Sequence, residues 1–215
     1  MVRPVLYSFW KSSASYRVRI ALTWKGIEYD YQPVNIFNRE NEARDYRQLN
    51  LNQKVPTLVI DGLVLTQSPA ILEYLEETRP HRPLLPSDPA VRAQIRALCG
   101  IIGADIQPLQ NVAVLREVAR DAESKATRKR EWAQHWIQRG FLAVEGILEE
   151  SAGTYCFGNA ITMADLFLLP QANNAKAFHV DMTPFPNITR IAATLQNEPE
   201  FMAAHPINMP DKTDE

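Results

Sequence analysis

Ser12, Ser13 and Ser15 crowd into one turn of the stretch FWKSSASYRVRIALTWKG (residues 9–26), with Lys11 just ahead and an apolar, helix-spaced run behind. Hydroxyls at the start of a helix sit beside backbone N–H groups that lack intrahelical acceptors and carry the positive end of the helix dipole. Such a place stabilises an anion. A phosphate fits, and so does a thiolate, because a hydroxyl hydrogen bond plus a helix N-terminus lowers a thiol pKa toward neutrality. The plainer reading is that one serine caps the helix and the others are surface polar residues. No other nucleophile is paired with a base. His81, His135, His179 and His205 are scattered, and a Gly-rich phosphate loop, Cys-x-x-Cys and His-Glu-x-x-His are all missing. Cys99 and Cys156 lie far apart, flanked by apolar residues or glycine, which suits small core residues and supports neither a disulfide nor a zinc site.

Two other places shift the balance toward binding. Val55-Pro56 precedes an apolar run, where a cis proline would leave the Val55 main chain able to pair with an extended, peptide-like ligand. Gln67 and Ser68 open another helix and offer an amide, a hydroxyl and N–H groups suited to a carboxylate. Peptide backbone, carboxylate and thiol are the parts of glutathione.

The elements that must position these residues follow from periodicity. Val5–Phe9 reads as a short buried strand. The helix after it has Val18, Ala21 and Leu22 on one face and Tyr16, Ile20 and Trp24 on the next, so it is covered on most sides. Lys25-Gly26 supplies a cation for the last turn and a glycine to close it. YDYQPVNI gives a second strand and hence a βαβ unit. After a polar segment (residues 38–52), Thr57–Ile60 and Leu63–Leu65 form a hairpin about Asp61-Gly62. Ser68 is then expected as N-cap, with Pro69 at the first helical position. This order is the thioredoxin-like arrangement.

Pro80, Pro83, Pro86 and Pro89 mark a stiff linker, and from Ala90 onward i, i+3, i+4 apolar spacing predicts helices packed on helices. The expected organisation is α/β plus all-α: a thioredoxin-like glutathione-binding domain over 1–83 and a helical bundle over 90–215. Within the second part, Thr162 and Asp165 form a capping box, with Ile161 placed for a hydrophobic staple to Leu166 or its neighbours. The basic run KATRKR (125–130) reads as a solvated loop or helix end.

Bulk properties restrict the partners. The 215 residues are 46% hydrophobic with a formal net charge of −2, which removes the electrostatic basis for nucleic-acid binding. No apolar run approaches the ~18 residues of a membrane span, and MVRPVLYSFWKSS lacks the apolar stretch of a signal peptide, so no membrane partner is expected and the cytoplasm is the expected location.

SSASYRVRIAL, KVPTL, QSPAILEYLEE, DIQPLQNVAVL and ITMADLFLLPQ followed by TPFPNI together resemble the zeta class of cytosolic glutathione transferases over nearly the full length. The first and fourth of these are specific to that class. The resemblance implies glutathione as cofactor, a homodimer, and isomerisation of maleylacetoacetate to fumarylacetoacetate, a small anionic electrophile, in tyrosine and phenylalanine breakdown. It implies that Ser12, with Ser13 beside it, holds the glutathione thiolate. Ala14, Ser15, Tyr16 and Arg17 adjoin them in the expected contact set, Arg17 rather as an anchor through an ion pair. Val55 would pair with the cysteinyl part, Gln67 and Ser68 would hold the γ-glutamyl group, and Gln107 and Asn111, with neighbouring Val112 and Ala113, would reach from the helical part. Asn41 falls near a contact position only if the alignment takes a gap. Two positions depart from the family: Ala14 stands where it has cysteine, and Ala177 where it has an arginine that grips a substrate carboxylate. Lys11 and Lys176 are the cations left for that task. Glutathione transfer or dehalogenation of small α-halo acids, and a non-catalytic binding module of the same fold, are the alternatives that Ala14 and Ala177 leave open.

Overall fold

The structure is a computed structural model and describes residues 2–213. The chain divides into two compact units, one containing the residues up to Pro83 together with those from Glu198 onward, the other Leu84–Asn197.

In the first unit, β1 (Val5–Ser8), α1 (Ser13–Trp24), β2 (Asp30–Pro33), α2 (Arg44–Leu49), β3 (Thr57–Ile60), β4 (Leu63–Thr66) and α3 (Ser68–Thr78) follow one another. The sheet order is β2-β1-β3-β4. β1 runs parallel to β2, with Leu6 opposite Tyr31, and antiparallel to β3, with Leu6 opposite Leu58. Leu6 and Leu58 are both fully buried, so the central pair of strands forms the floor of this core. β3 returns as β4 through Asp61 and Gly62, whose φ values of 53° and 77° are those of a tight hairpin turn.

Helix α1 buries every residue from Ser13 to Leu22 except Ala14, as two adjacent apolar faces demand. Its C-terminus corrects an expectation. Gly26 does take positive φ (65°), but Lys25 does not lie along the last turn facing solvent. Its Nζ is buried and donates to Glu76 Oε2 at 2.9 Å and to the Arg79 carbonyl at 2.8 Å, tying the end of α1 to the end of α3. The start of α3 is also different. Gln67, not Ser68, occupies the N-cap position, with φ 67° and no capping bond from its side chain, and Ser68 is the first helical residue.

The residues from Glu198 onward, expected with the helical part, group with the first unit. Helix α9 (Pro199–Ala203) and the residues after it pack on the first unit because that unit supplies their partners. Tyr16 Oη donates to the Phe201 carbonyl at 2.9 Å, Arg19 Nε to the Ala204 carbonyl at 3.0 Å, and Arg82 pairs with Glu200 at 2.6 Å.

The second unit is helical: α4 (Pro89–Gly100), α5 (Val112–Val118), α6 (Lys125–Ser151), α7 (Met163–Ala177) and α8 (Pro186–Leu195). Asp88 caps α4 by accepting from Ala90 N at 2.7 Å. The α4 pattern does not run on regularly: Ile101–Ile106 widens into a π turn and Gln107–Gln110 tightens into a 3₁₀ turn before α5. The widened turn brings Ile106 against Gly140 of α6, where a Cβ would lie 2.2 Å from the Ile106 side chain, so any other residue there requires Ile106 to shift. KATRKR forms the exposed first turns of α6.

The capping box at α7 is present: Asp165 Oδ2 accepts from Thr162 N at 2.7 Å and Thr162 Oγ1 at 3.0 Å, and Oδ1 accepts from Cys156 N at 2.9 Å. Burial pushes the Asp165 carboxyl above the usual range, against the pull of these donors. Among the described residues, no single helix is long and apolar enough to cross a membrane, and no cluster of His, Cys, Asp and Glu is able to hold a metal.

Candidate active site

Ser12 is the N-cap of α1, in extended backbone (φ −74°, ψ 116°), and its Oγ accepts from Ser15 N at 3.2 Å. That bond engages a lone pair and leaves the hydroxyl proton available to donate. The next two N–H groups, of Ser13 and Ala14, occupy the first helical positions and have no carbonyl one turn back. No acidic residue lies in the first turn to neutralise the dipole. The arrangement is a donor cluster for an anion. Lys11, exposed just ahead, lies over the ring of Trp10 at 4.6 Å and of Phe37 at 5.5 Å, which holds its charge near this turn.

Ser68 repeats the logic of Ser12. Its Oγ accepts from Arg17 Nη1 at 3.3 Å, so its proton also remains to donate. Arg17 therefore links α1 to the start of α3 from inside the unit. Gln67 is exposed and held at a positive φ that disfavours any side chain, a strain of the kind kept at binding sites. The Val55–Pro56 bond is cis. Val55 is buried with Phe9, Val34 and Tyr46, and it precedes the first paired residue of β3, so its peptide groups stand outside the sheet ladder. The two helix starts thus offer different chemistry: protons and N–H groups suited to a small anion at α1, and a hydroxyl and an amide suited to a carboxylate at α3.

Four members of the expected contact set lie inside this unit or within their own loop. Ser15, Tyr16 and Arg17 are at most 1% exposed because α1 is covered on nearly all sides, so they support the site from within. Asn41 donates from Nδ2 to the Gln53 carbonyl at 2.8 Å, and its Oδ1 is enclosed, so the side chain shapes its own loop. Sequence reasoning missed Tyr46 and Asn50. Tyr46 Oη and Asn50 Nδ2 both donate to the Lys54 carbonyl, at 2.7 and 2.8 Å, bracing the segment that carries Val55. Nothing in the polar stretch 38–52 singles them out.

On the second unit, Gln107, Asn111, Val112 and Ala113 gather at one helix break. Asn111 caps α5, its Oδ1 accepting from Ala113 N at 3.0 Å, and keeps its amide N–H groups for other use. Lys176 is exposed in the last turn of α7 and Ala177 ends that helix. Gln110 and Gln171 are buried and bonded to each other at 2.6 Å, joining the ends of the QPLQ and LLPQ motifs. Cys99 and Cys156 are buried, and burial plus the neighbouring Asp165 push the Cys156 thiol well up. A cleft of about 370 Å³ on the first unit contains none of the expected residues. It is lined in part by Glu40 and Asp45, which repel an anionic ligand.

Residues 4–77 match the glutathione S-transferase N-terminal domain and residues 112–203 the glutathione S-transferase C-terminal domain. The chain is 51% identical over 98% of its length to a probable maleylacetoacetate isomerase 2 of Drosophila melanogaster, covering 91% of that protein. It is 45% identical over 97% of its length to the maleylacetoacetate isomerase of Rattus norvegicus, covering 95% of it. Among solved structures, a bacterial maleylpyruvate isomerase described as a zeta-class glutathione S-transferase superposes with a TM-score of 0.94 at 39% identity, covering 97% of this chain and all of that one. A maleylacetoacetate isomerase from Anaeromyxobacter dehalogenans with glutathione bound in its active site gives 0.89 at 39% identity, covering 98% of each chain. The two-unit fold with its donor-rich first helix is that of a glutathione-using enzyme. The chain belongs to the glutathione S-transferase family, in its zeta class.

Proposed function

We propose that the protein is a glutathione-dependent cis–trans isomerase that converts maleylacetoacetate to fumarylacetoacetate in tyrosine and phenylalanine breakdown. The observation that carries this reading is the Ser12 cap: its oxygen is engaged by Ser15 N and its proton is left free at a helix start without acidic residues. Bound glutathione supplies a nucleophilic sulfur that adds reversibly to the cis double bond and lets the carbon skeleton rotate. Ser12 Oγ–H and the N–H groups of Ser13 and Ala14 hold that sulfur ionised at neutral pH. Gln67 and Ser68 orient the γ-glutamyl end, and Val55 offers its main chain to the middle of the tripeptide. Lys11 and Lys176 supply positive charge for the substrate carboxylates, as point charges without the two-pronged grip of arginine.

The relatives named as maleylacetoacetate isomerases support the substrate, and the fold supports the cofactor. The proposal includes a homodimer, tested by sedimentation, and residence in the cytoplasm, tested by cell fractionation.

The deciding experiment is turnover of maleylacetone with and without glutathione, for the native chain and Ser12→Ala. Turnover that needs glutathione and falls about a hundredfold in the variant supports the reading. Turnover that survives the variant unchanged sinks it. Halide release from α-halo acids without isomerisation would assign the same site to the alternative chemistry that Ala14 and Ala177 leave open.

A further inference from the structure

We infer that Asp211 is a positioning residue for Ser12, gripping the β1–α1 turn from the segment that follows α9. The turn runs from Phe9 to Ser12 and is closed by Ser12 N–H donating to the Phe9 carbonyl at 2.9 Å. Its inner peptide groups find their partners outside the turn. The Phe9–Trp10 peptide is held at both ends: its oxygen accepts from Arg19 Nη1 at 3.4 Å, and its N–H donates to Asp211 Oδ2 at 3.1 Å. The Trp10–Lys11 peptide is held at its oxygen by Arg19 Nη2 at 3.3 Å.

Arg19 is fully buried, and its Nε donates to the Ala204 carbonyl at 3.0 Å, so one guanidinium fixes both the turn and the root of the segment bearing Asp211. The other oxygen of Asp211 accepts from Tyr31 Oη of β2 at 2.7 Å, which sets the plane of the carboxylate. A short turn has several conformations of similar energy that differ by rotation of its inner peptides. Such a rotation swings the N-cap hydroxyl away from the N–H groups of Ser13 and Ala14. The Asp211–Trp10 bond is charge-assisted and selects one conformation. The site at Ser12 is therefore completed by a residue about two hundred positions downstream.

This inference rests on the reading of Ser12 as holder of the glutathione thiolate. The test is the pH titration of thiolate absorbance for glutathione bound to the native chain, Ser12→Ala, Asp211→Ala, Asp211→Asn and Tyr31→Phe. Amide hydrogen exchange at Trp10 and thermal melts are followed on the same proteins without ligand. Asp211→Ala is expected to speed Trp10 exchange and to raise the thiol pKa by about one unit. Asp211→Asn keeps an acceptor for Trp10 N and is expected to stay within about 0.3 unit of native. Tyr31→Phe leaves the Trp10 bond in place, so it is expected to lower the melting temperature with little change in the thiol. The inference fails if Asp211→Ala frees the Trp10 amide without moving the thiol pKa, or if Asp211→Asn moves it as far as Asp211→Ala. If Ser12→Ala itself leaves the thiol unmoved, the reading of Ser12 falls, and that result is separate from the behaviour of the Asp211 variants.

Discussion

Helix α1 begins at Ser12 and helix α7 at Thr162, both hydroxyl caps, yet the two starts are completed differently. At α7 the side chain of Asp165 closes the end: a fully buried carboxylate takes the N–H and hydroxyl of Thr162 and the N–H of Cys156. At α1 the third helical residue is Ser15, which has no carboxylate to offer, and a hydroxyl proton and two N–H groups are left over. A helix start closed by its own carboxylate contributes folding energy and has little to offer an anionic ligand. One that stops short is less stable by itself and becomes a binding site.

The comparison breaks most visibly at Asp165. Asp165→Ala leaves three buried donors without an acceptor and is expected to destabilise the second unit by about 3 kcal/mol in urea unfolding, with the thiol pKa of bound glutathione unchanged in the folded fraction. Ser12→Ala shows the opposite profile. A stability loss of about 1 kcal/mol accompanies a fall of about a hundredfold in kcat/KM, and the deficit narrows as rising pH ionises the thiol unaided.

Ala14→Asp converts α1 toward the α7 design. A carboxylate in the first turn is expected to stabilise the helix by about 0.5 kcal/mol while weakening glutathione binding about tenfold, read by calorimetry. The smallest effect concerns the segment that packs on α1. The His205 ring stands edge-on to Tyr16 and its Nδ1 accepts from Ile207 N, and burial, then the charge of Arg19, holds its pKa below 6.5. The folded value is thus lower than the unfolded one. The stabilisation is complete above about pH 6.5 and is lost as pH falls through the depressed value. Melting temperatures between about pH 5 and pH 8 should fall more steeply at the acid end for the native chain than for His205→Gln.

Where a signal is local, the sequence already carried the structure. The Asp61-Gly62 hairpin and the Thr162–Asp165 box each depend on neighbours within a few positions, and each formed where expected; a serine cap on α1 was legible too, and the structure gives it to Ser12. The misplacements have the opposite origin. By sequence Lys25 belongs to the dipole of its own helix, but a buried glutamate and a carbonyl group some fifty residues away claim it. Ser68 yielded the cap position to Gln67, and its hydroxyl turned to Arg17. Nothing in the spacing of Pro199–Ala203 shows which unit it joins, and the carbonyls of Phe201 and Ala204, which accept from Tyr16 and Arg19, are invisible in side-chain patterns. The braces at Tyr46, Asn50 and Asp211 act through main-chain oxygens or N–H groups and leave no periodic trace.

The burial of Cys99 and Cys156 bears on the lifetime of the catalyst. A protein that handles electrophilic olefins risks being alkylated by them, and thiolates are the groups most readily attacked. Here both cysteines are enclosed, one with its thiol held protonated, and alanine stands at position 14 beside the site. In the proposed reaction the sulfur exposed to attack belongs to a tripeptide that diffuses away and is replaced. Chemical wear then falls on the reagent, and the fold outlasts it.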